Sequence, residues 1–218
     1  MIALKKEDIP AILAKEAQNW TTALTTKLNS GKKPTNTEKT RYRHPDIKQA
    51  LIKETHGKCA YCESKILHVS PGDVEHIFPK SKRPELTFEW NNLTLACTEC
   101  NRRKDAEDFC DSKLFVDPYK VDPVEHFWFA GPAMIPVPGN DAAHATWKKL
   151  ELNREKLFGV RQEAIEDLRV RLSNIAKTLD PDARAILIAE TLEEASAKKE
   201  FSAMARDFVS DGLRRLGY

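Results

Sequence analysis

A chain of 218 residues, 41% hydrophobic and 31% charged, is long enough to bury a core and too apolar to be a disordered tail. Its net charge of +2 conceals an asymmetry: residues 1–104 carry 19 basic and 12 acidic side chains, residues 105–218 carry 16 and 21, so the halves stand at +7 and −5. That split suits a polyanion on the first half and a different contact on the second, although chance clustering on a solvated surface gives the same counts. From the N-terminus, residues 8–30 place Leu13, Ala17, Trp20, Leu24 and Leu28 at helical spacing, with Asp8 as the expected cap and Gly31 as the stop. A basic, proline-bounded loop follows, "GKKPTNTEKTRYRHP". Its Lys32, Lys33, Lys39, Arg41 and Arg43, with Tyr42 among them, can track a nucleic-acid backbone or simply form a solvated linker. A short helix over 46–56 ends at His56-Gly57.

Four of the five cysteines then come in two pairs, "CAYC" at 59–62 and "CTEC" at 97–100, and Cys110 is left over as a small apolar side chain. In a reducing compartment two such pairs favour a tetrahedral Zn²⁺ on Cys59, Cys62, Cys97 and Cys100; the alternative, a redox dithiol, lacks its βαβ context. An ordinary zinc ribbon separates its pairs by roughly 15 to 20 residues. Here 34 residues intervene, so the ion staples the base of a sizeable insertion that contains Glu75 and His76, with Asn101 just beyond it.

The order of "CAYCE", "VEHIFPKS", "NNL" and "CTECNRRK" resembles the HNH endonuclease motif, a ββα-metal finger related to treble-clef zinc folds. The resemblance covers about residues 59–104 and implies signature positions at His76, Asn92 and Asn101. Phosphodiester hydrolysis needs a base for water, a cation for the phosphate and a scaffold that prevents drift. His76 has the pKa range of a base, and Glu75 and Asn101 offer the hard oxygens that suit Mg²⁺ or Mn²⁺. Asn92 matches the asparagine that holds the loop behind the histidine, and Lys104, three residues after Asn101, is expected to reach a phosphate. Many such sequences have aspartate at the Glu75 position; Asp73, on the same strand face, offers a substitute ligand. Lys80, Lys82, Arg83, Arg102, Arg103 and Lys104 are the expected DNA contacts, mostly to phosphates. His44, His56, His68, His126 and His144 lack this context and read as structural.

Beyond the finger, "FWFAGPAMIPV" at 127–137 is far too short and proline-rich for a membrane span and reads as a hairpin. With no apolar core after the first lysines, a cytoplasmic protein without a membrane partner is expected. Helical character starts at Leu150, Leu152 and Leu157 and continues as a stripe of Val160, Ala164, Leu168, Leu172, Ile175 and Leu179. Asp180-Pro181 caps the next helix, and Ile186, Leu187, Leu192, Phe201, Met204, Phe208, Leu213 and Leu216 carry the pattern to the end. The fold class is α+β, predominantly helical, divided into residues 1–58 (helices and basic linker), 59–110 (the finger) and 111–218 (hairpin and helices). "DPYKVDPVEHFWF" and "LELNREKLFGVR" resemble the HNH nuclease subunits of Septu-type antiphage defence and retron-associated systems. That second resemblance implies an ABC/SMC-like ATPase as partner, docked on the acidic half. The alternatives to a nuclease are a non-catalytic treble-clef nucleic-acid-binding module and a zinc-stapled adaptor.

Overall fold

The first helix, α1 (Ala11–Asn29), starts at Pro10, whose carbonyl accepts from the Leu13 and Ala14 amides. Asp8, the expected cap, lies two residues too early to reach those amides. Leu13 and Leu24 are buried, Ala17 and Trp20 are half-buried, and Leu28 points outward in the last turn. Gly31 (φ 70°) ends the helix as expected, with the Lys32 amide donating to the Lys27 carbonyl and the Gly31 amide to that of Leu28. The structure, a computed structural model, describes residues 1–67, 70–104 and 115–218; His68 and Cys110 lie outside them.

The basic segment is ordered rather than a linker. Thr35 and Glu38 form a reciprocal capping box that starts α2 (Asn36–Thr40), and a single 3₁₀ turn over Arg41–Arg43 buries Tyr42. The Thr-x-x-Glu spacing was visible in the sequence but masked by the surrounding charge. Helix α3 (Pro45–Glu54) has proline at its first position and closes at His56 and Gly57, both left-handed, with the Gly57 amide on the Ile52 carbonyl.

The finger follows as β1 (Asp73–His76), β2 (Leu93–Ala96) and α4 (Thr98–Lys104). The strands pair antiparallel, Asp73 opposite Ala96 and His76 opposite Leu93. Leu93, Leu95, Ile47, Leu51 and Phe88 are buried together with Trp90, whose indole donates to the Glu7 carbonyl. Contacts divide the chain into a unit over Leu4–Ser112 and a second comprising Met1–Ala3 with Lys113–Tyr218, so the N-terminal helices and the finger form one body.

In the second unit β3 (Phe127–Ala130) and β4 (Ala133–Pro136) form the expected hairpin, turned at Gly131 (φ 59°). Helix α5 (Asp141–Lys149), capped by Asn140, begins earlier than the apolar pattern indicated, and Leu150 and Leu152 lie in the turn after it. Helix α6 (Glu155–Lys177) buries Leu157, Arg161, Ile165, Leu168 and Ile175. Val160 and Leu179, assigned to the stripe, are exposed, Leu179 at 88%. Asp180 caps α7 (Pro181–Glu193), its carboxylate accepting from the Ala183 amide at 2.7 Å, and α8 (Ser202–Arg215) completes the unit. Ile186, Leu192 and Leu216 point to solvent, while Leu168, Ile175, Ala205, Val209 and Leu213 form the core with Leu172, Leu187 and Phe208 against it. Gly212 lets α8 approach α6 closely, since a Cβ there would stand 2.4 Å from a Leu172 methyl. Among the described residues the fold is α+β and predominantly helical, with eight α-helices and two two-stranded sheets.

Candidate active site and metal centre

Two tight turns bring the cysteines together. In the first, the Cys59 amide donates to the Ser64 carbonyl and the Glu63 amide to that of Cys59, with Glu63 left-handed (φ 64°). Beneath it Lys58 and Glu63 form a buried ion pair at 3.2 Å. The Ala60 amide donates to the Leu95 carbonyl, tying this turn to β2. In the second, Cys97 stands at the head of α4, where its sulfur accepts from the Cys100 amide at 3.4 Å.

The four sulfurs lie within 4.8 Å of one another, Cys62 and Cys97 at 3.9 Å. A tetrahedron with Zn–S bonds of about 2.3 Å has edges of about 3.8 Å, so the cluster can hold such an ion. Burial pushes the Cys59 thiol well up, and contacts with the other thiols raise Cys100; hydrogen bonds from Cys100 and Cys59 pull Cys62 well down and lower Cys97. Four adjacent sulfurs, three of them buried and that of Cys97 half-buried, cannot all ionise unaided, and a divalent cation would remove that conflict. Among the described residues, no other group of three or more His, Cys, Asp or Glu side chains converges in this way.

About 180 Å³ of open cleft lies beside the strands, lined by Glu75, His76, Pro79, Lys80, Ser81, Asn101 and Lys104. Strand β1 supplies Glu75 and His76, and α4 supplies Asn101 and Lys104 one turn apart. His76 is 5% exposed, and its Nε2 is 3.0 Å from the Thr87 carbonyl. A carbonyl only accepts, so Nε2 carries the proton and Nδ1 keeps a lone pair. Asn92 closes the segment between the strands: its amide oxygen accepts from the Phe78 amide at 2.7 Å, and its nitrogen donates to the Phe78 and Leu86 carbonyls at 3.0 and 3.2 Å.

Lys104 is turned inward. It is 3% exposed, and its ammonium meets Glu75 Oε1 at 2.8 Å and the His76 carbonyl at 2.7 Å. Burial raises the Glu75 carboxyl pKa, and Lys104 opposes that shift. Asn101 donates from its amide nitrogen to Asp73 Oδ2 at 3.0 Å, which leaves its amide oxygen as the donor atom for a cation.

The other basic residues are spread around this cleft. Lys82, Arg83 and Arg102 are exposed and Arg103 is half-buried; Arg83 pairs with Glu85, while Arg102 and Arg103 share Glu99. Lys80 lines the cleft itself. Sequence reasoning does not place Tyr42 or the Thr87 carbonyl here; no pattern marks a backbone carbonyl, and Tyr42 reads as part of a basic segment that tracks a nucleic-acid backbone or forms a solvated linker.

Burial, reinforced by the Lys80 charge, lowers the His76 pKa to about 3. Its unfolded value is about 6.5, so between the two the unfolded chain binds a proton that the folded chain refuses. Stability from this group is therefore full above about pH 6.5 and declines as pH falls toward 3. Thermal melts between about pH 7.5 and about pH 5 are expected to show Tm falling in the wild type and less steeply in His76→Gln. Metal content followed in the same samples separates this slope from cysteine protonation.

Residues 59–107 match the HNH endonuclease family. This segment is HNH-like. The match takes in both cysteine pairs, β1, β2 and α4, the elements that build the cleft. Across 96% of its length the chain is 26% identical to the Septu protein PtuB of Bacillus mycoides (strain KBAB4), covering 81% of that relative. It is 34% identical over 111 residues to the Septu protein PtuB of Bacillus thuringiensis, which is 50% of this chain and 38% of that one. The similarity thus reaches beyond the HNH domain into the helical unit. Among the described residues no helix is long and apolar enough to cross a membrane.

Proposed function

We propose that the chain is a divalent-metal-dependent endonuclease that hydrolyses DNA phosphodiester bonds, working as the nuclease subunit of an ATPase-coupled antiphage complex. The observation that carries the reading is a neutral histidine, fixed in one tautomer, in a cleft lined with oxygen donors and ammonium groups. In this reading His76 Nδ1 takes the proton of the attacking water, and the Thr87 carbonyl holds the ring in place for it. Asn92 keeps the segment from Phe78 to Leu86 in register, which sets the Thr87 carbonyl.

The donor set fits Mg²⁺ or Mn²⁺, which takes one or two protein carboxylates and leaves its other positions to water and phosphate. Glu75 and Asn101 would hold it, with Asp73 as the substitute carboxylate. When bound, the ion supplies positive charge to the phosphate and the leaving oxygen. Lys104, placed on Glu75 rather than toward solvent, opposes the effect of burial on that carboxylate and aims it. A zinc ion on Cys59, Cys62, Cys97 and Cys100 serves the fold, since soft thiolates suit it and hard oxygens do not.

DNA affinity falls to Lys80, Lys82, Arg83, Arg102 and Arg103. The solvent-screened pairs with Glu85 and Glu99 hold Arg83 and Arg102 only weakly, so phosphates can replace the carboxylates. The −5 charge over residues 105–218 repels DNA and suits a protein partner. The PtuB similarity across 96% of the chain supports the Septu-type setting and, through it, an ABC/SMC-like ATPase.

One experiment tests both parts: the chain is purified from its native host under gentle conditions and assayed for nicking of supercoiled plasmid with Mg²⁺, with Mn²⁺ and with a chelator. An ATPase is expected to co-purify, and nicking is expected only with the added ion. Metal-independent nicking overturns the proposed chemistry; a chain that comes out alone, with or without ATP, is a standalone nuclease.

A further inference from the structure

We propose that Lys80 is a catalytic residue that meets the scissile phosphate, and that Tyr42 is the positioning residue that presents it while bracing the His76 ring. The proposal rests on the nuclease reading above and adds a part of the chain outside the HNH match.

Tyr42 sits in the most basic run of the sequence and yet is 3% exposed. Its backbone is fixed on both sides, by the capped helix α2 before it and by Pro45 after it, with the His44 amide on the Arg41 carbonyl. The phenol ring stands edge-to-face with the His76 imidazole, centroids 4.5 Å apart at 79°. The imidazole is therefore held twice, through Nε2 by the Thr87 carbonyl and across its ring by Tyr42.

The phenol oxygen accepts from the Lys80 ammonium at 2.7 Å, and that nitrogen lies 4.3 Å from the ring centroid. Lys80 follows Pro79, whose carbonyl accepts from the Lys82 and Arg83 amides, so the stem leaves a closed turn. The two cleft ammoniums are thus used differently. Lys104 is committed to the Glu75 carboxylate, whereas among the described residues the Lys80 partner is a neutral phenol. An ammonium has three protons, and one bond to a phenol leaves donors facing the cleft, with the Glu75 carboxylate acting on its charge only through space. A fixed cation where phosphate charge builds up stabilises the transition state more than the bound substrate. Lys82 and Arg102, exposed outside the cleft, contact DNA without that placement.

The test is a double-mutant cycle in the full-length chain, assayed with whatever partner its nicking requires. Lys80→Met is expected to lower kcat by about 100-fold with KM changed less than about 3-fold, the range for losing one preorganised donor. Tyr42→Phe keeps the ring and removes the acceptor; about a 10-fold loss of kcat is expected, with Tm and metal content as in the wild type. The double variant is expected to be no slower than Lys80→Met, because the phenol acts through the lysine. Wild-type kcat in Tyr42→Phe, or losses that multiply in the double variant, overturns the positioning role. A Lys80→Met effect no larger than that of Lys82→Met overturns the catalytic role, however Tyr42→Phe folds. His76→Ala in parallel separates the two failures: if it nicks at the wild-type rate, the nuclease reading falls and takes this one with it; if it is inactive, any failure belongs to Tyr42 and Lys80 alone.

Discussion

If the four sulfurs hold zinc as proposed, Cys59→Ser and Cys97→Ser proteins are expected to purify without it and to lose the cooperative fold of the Leu4–Ser112 unit. Structural zinc contributes about 10–16 kcal/mol of apparent binding free energy in small domains, as much as the whole stability of an ordinary domain, roughly 5–15 kcal/mol. The geometry explains why so much depends on it here. Cys59 anchors a turn tied to β2 through the Ala60 amide, and Cys97 heads the helix that carries Asn101 and Lys104. Without the ion the sulfurs are a buried cluster with opposed thiol pKa shifts and nothing to hold them together. The helical unit keeps its own core of Leu168, Ile175, Ala205, Val209 and Leu213, so much of the far-UV signal should survive while the first transition disappears. Elemental analysis with circular-dichroism melts checks this. A wild-type protein that contains no zinc and melts normally would refute the assignment.

The finger was legible because its chemistry leaves a mark in residue type. Thiols spaced for one ion, and a Glu-His pair followed by two asparagines, say which side chains belong together before anything is known of where they lie. The sulfurs then converge within 4.8 Å, and Glu75, His76, Asn101 and Lys104 line one cleft. What residue type could not convey was direction. Lys104 looks on paper like any other cation of "NRRK", yet one helical turn carries it inward to Glu75 while Arg102 stays in water. Tyr42 shows the same limit more sharply. Amid five cations it reads as part of a surface segment, whether nucleic-acid contact or linker, and the capping box before it and the His76 ring beside it accompany its burial.

The helical unit was legible in class and in much of its stripe, with Leu168, Leu172 and Ile175 in or against the core, but not at the edges of that stripe. Period counting on α6 chose Val160 and Leu179, which are exposed, and passed over Arg161, which is fully buried. An apolar scale excludes arginine from a core, but this guanidinium satisfies a carbonyl at 2.7 Å on Leu152 and lies between the Phe129 and Phe201 rings at 5.2 and 5.7 Å. Cap chemistry transferred well, as Asp180 shows, because a cap is decided by three or four neighbouring residues. Asp8 failed for the same reason: Pro10 sits at the cap position and leaves it no amide to bind.

His76→Ala is expected to lower the nicking rate by about 10²–10⁴-fold, the usual contribution of a positioned base, with zinc content and DNA affinity near wild type. The separation follows from where the groups lie. The sulfurs proposed to hold zinc are not among the residues that line the cleft, and Lys82, Arg83 and Arg102 are exposed. Alanine also removes the bond to the Thr87 carbonyl and the Tyr42 contact, so some loss of Tm accompanies it. His76→Gln resolves that ambiguity. A glutamine amide can still donate to the Thr87 carbonyl but cannot take up a proton, so an equal loss of rate with a smaller loss of Tm identifies the imidazole as a base rather than a prop. Because burial and Lys80 hold the histidine pKa down to about 3, wild-type His76 stays neutral through the whole working range, and its removal costs the same rate at every pH above about 5. Plasmid nicking with Mg²⁺ or Mn²⁺, fluorescence anisotropy on labelled duplex and elemental analysis read the three quantities. Undiminished nicking by either variant, in protein free of contaminating nuclease, places the cleavage in another part of the chain.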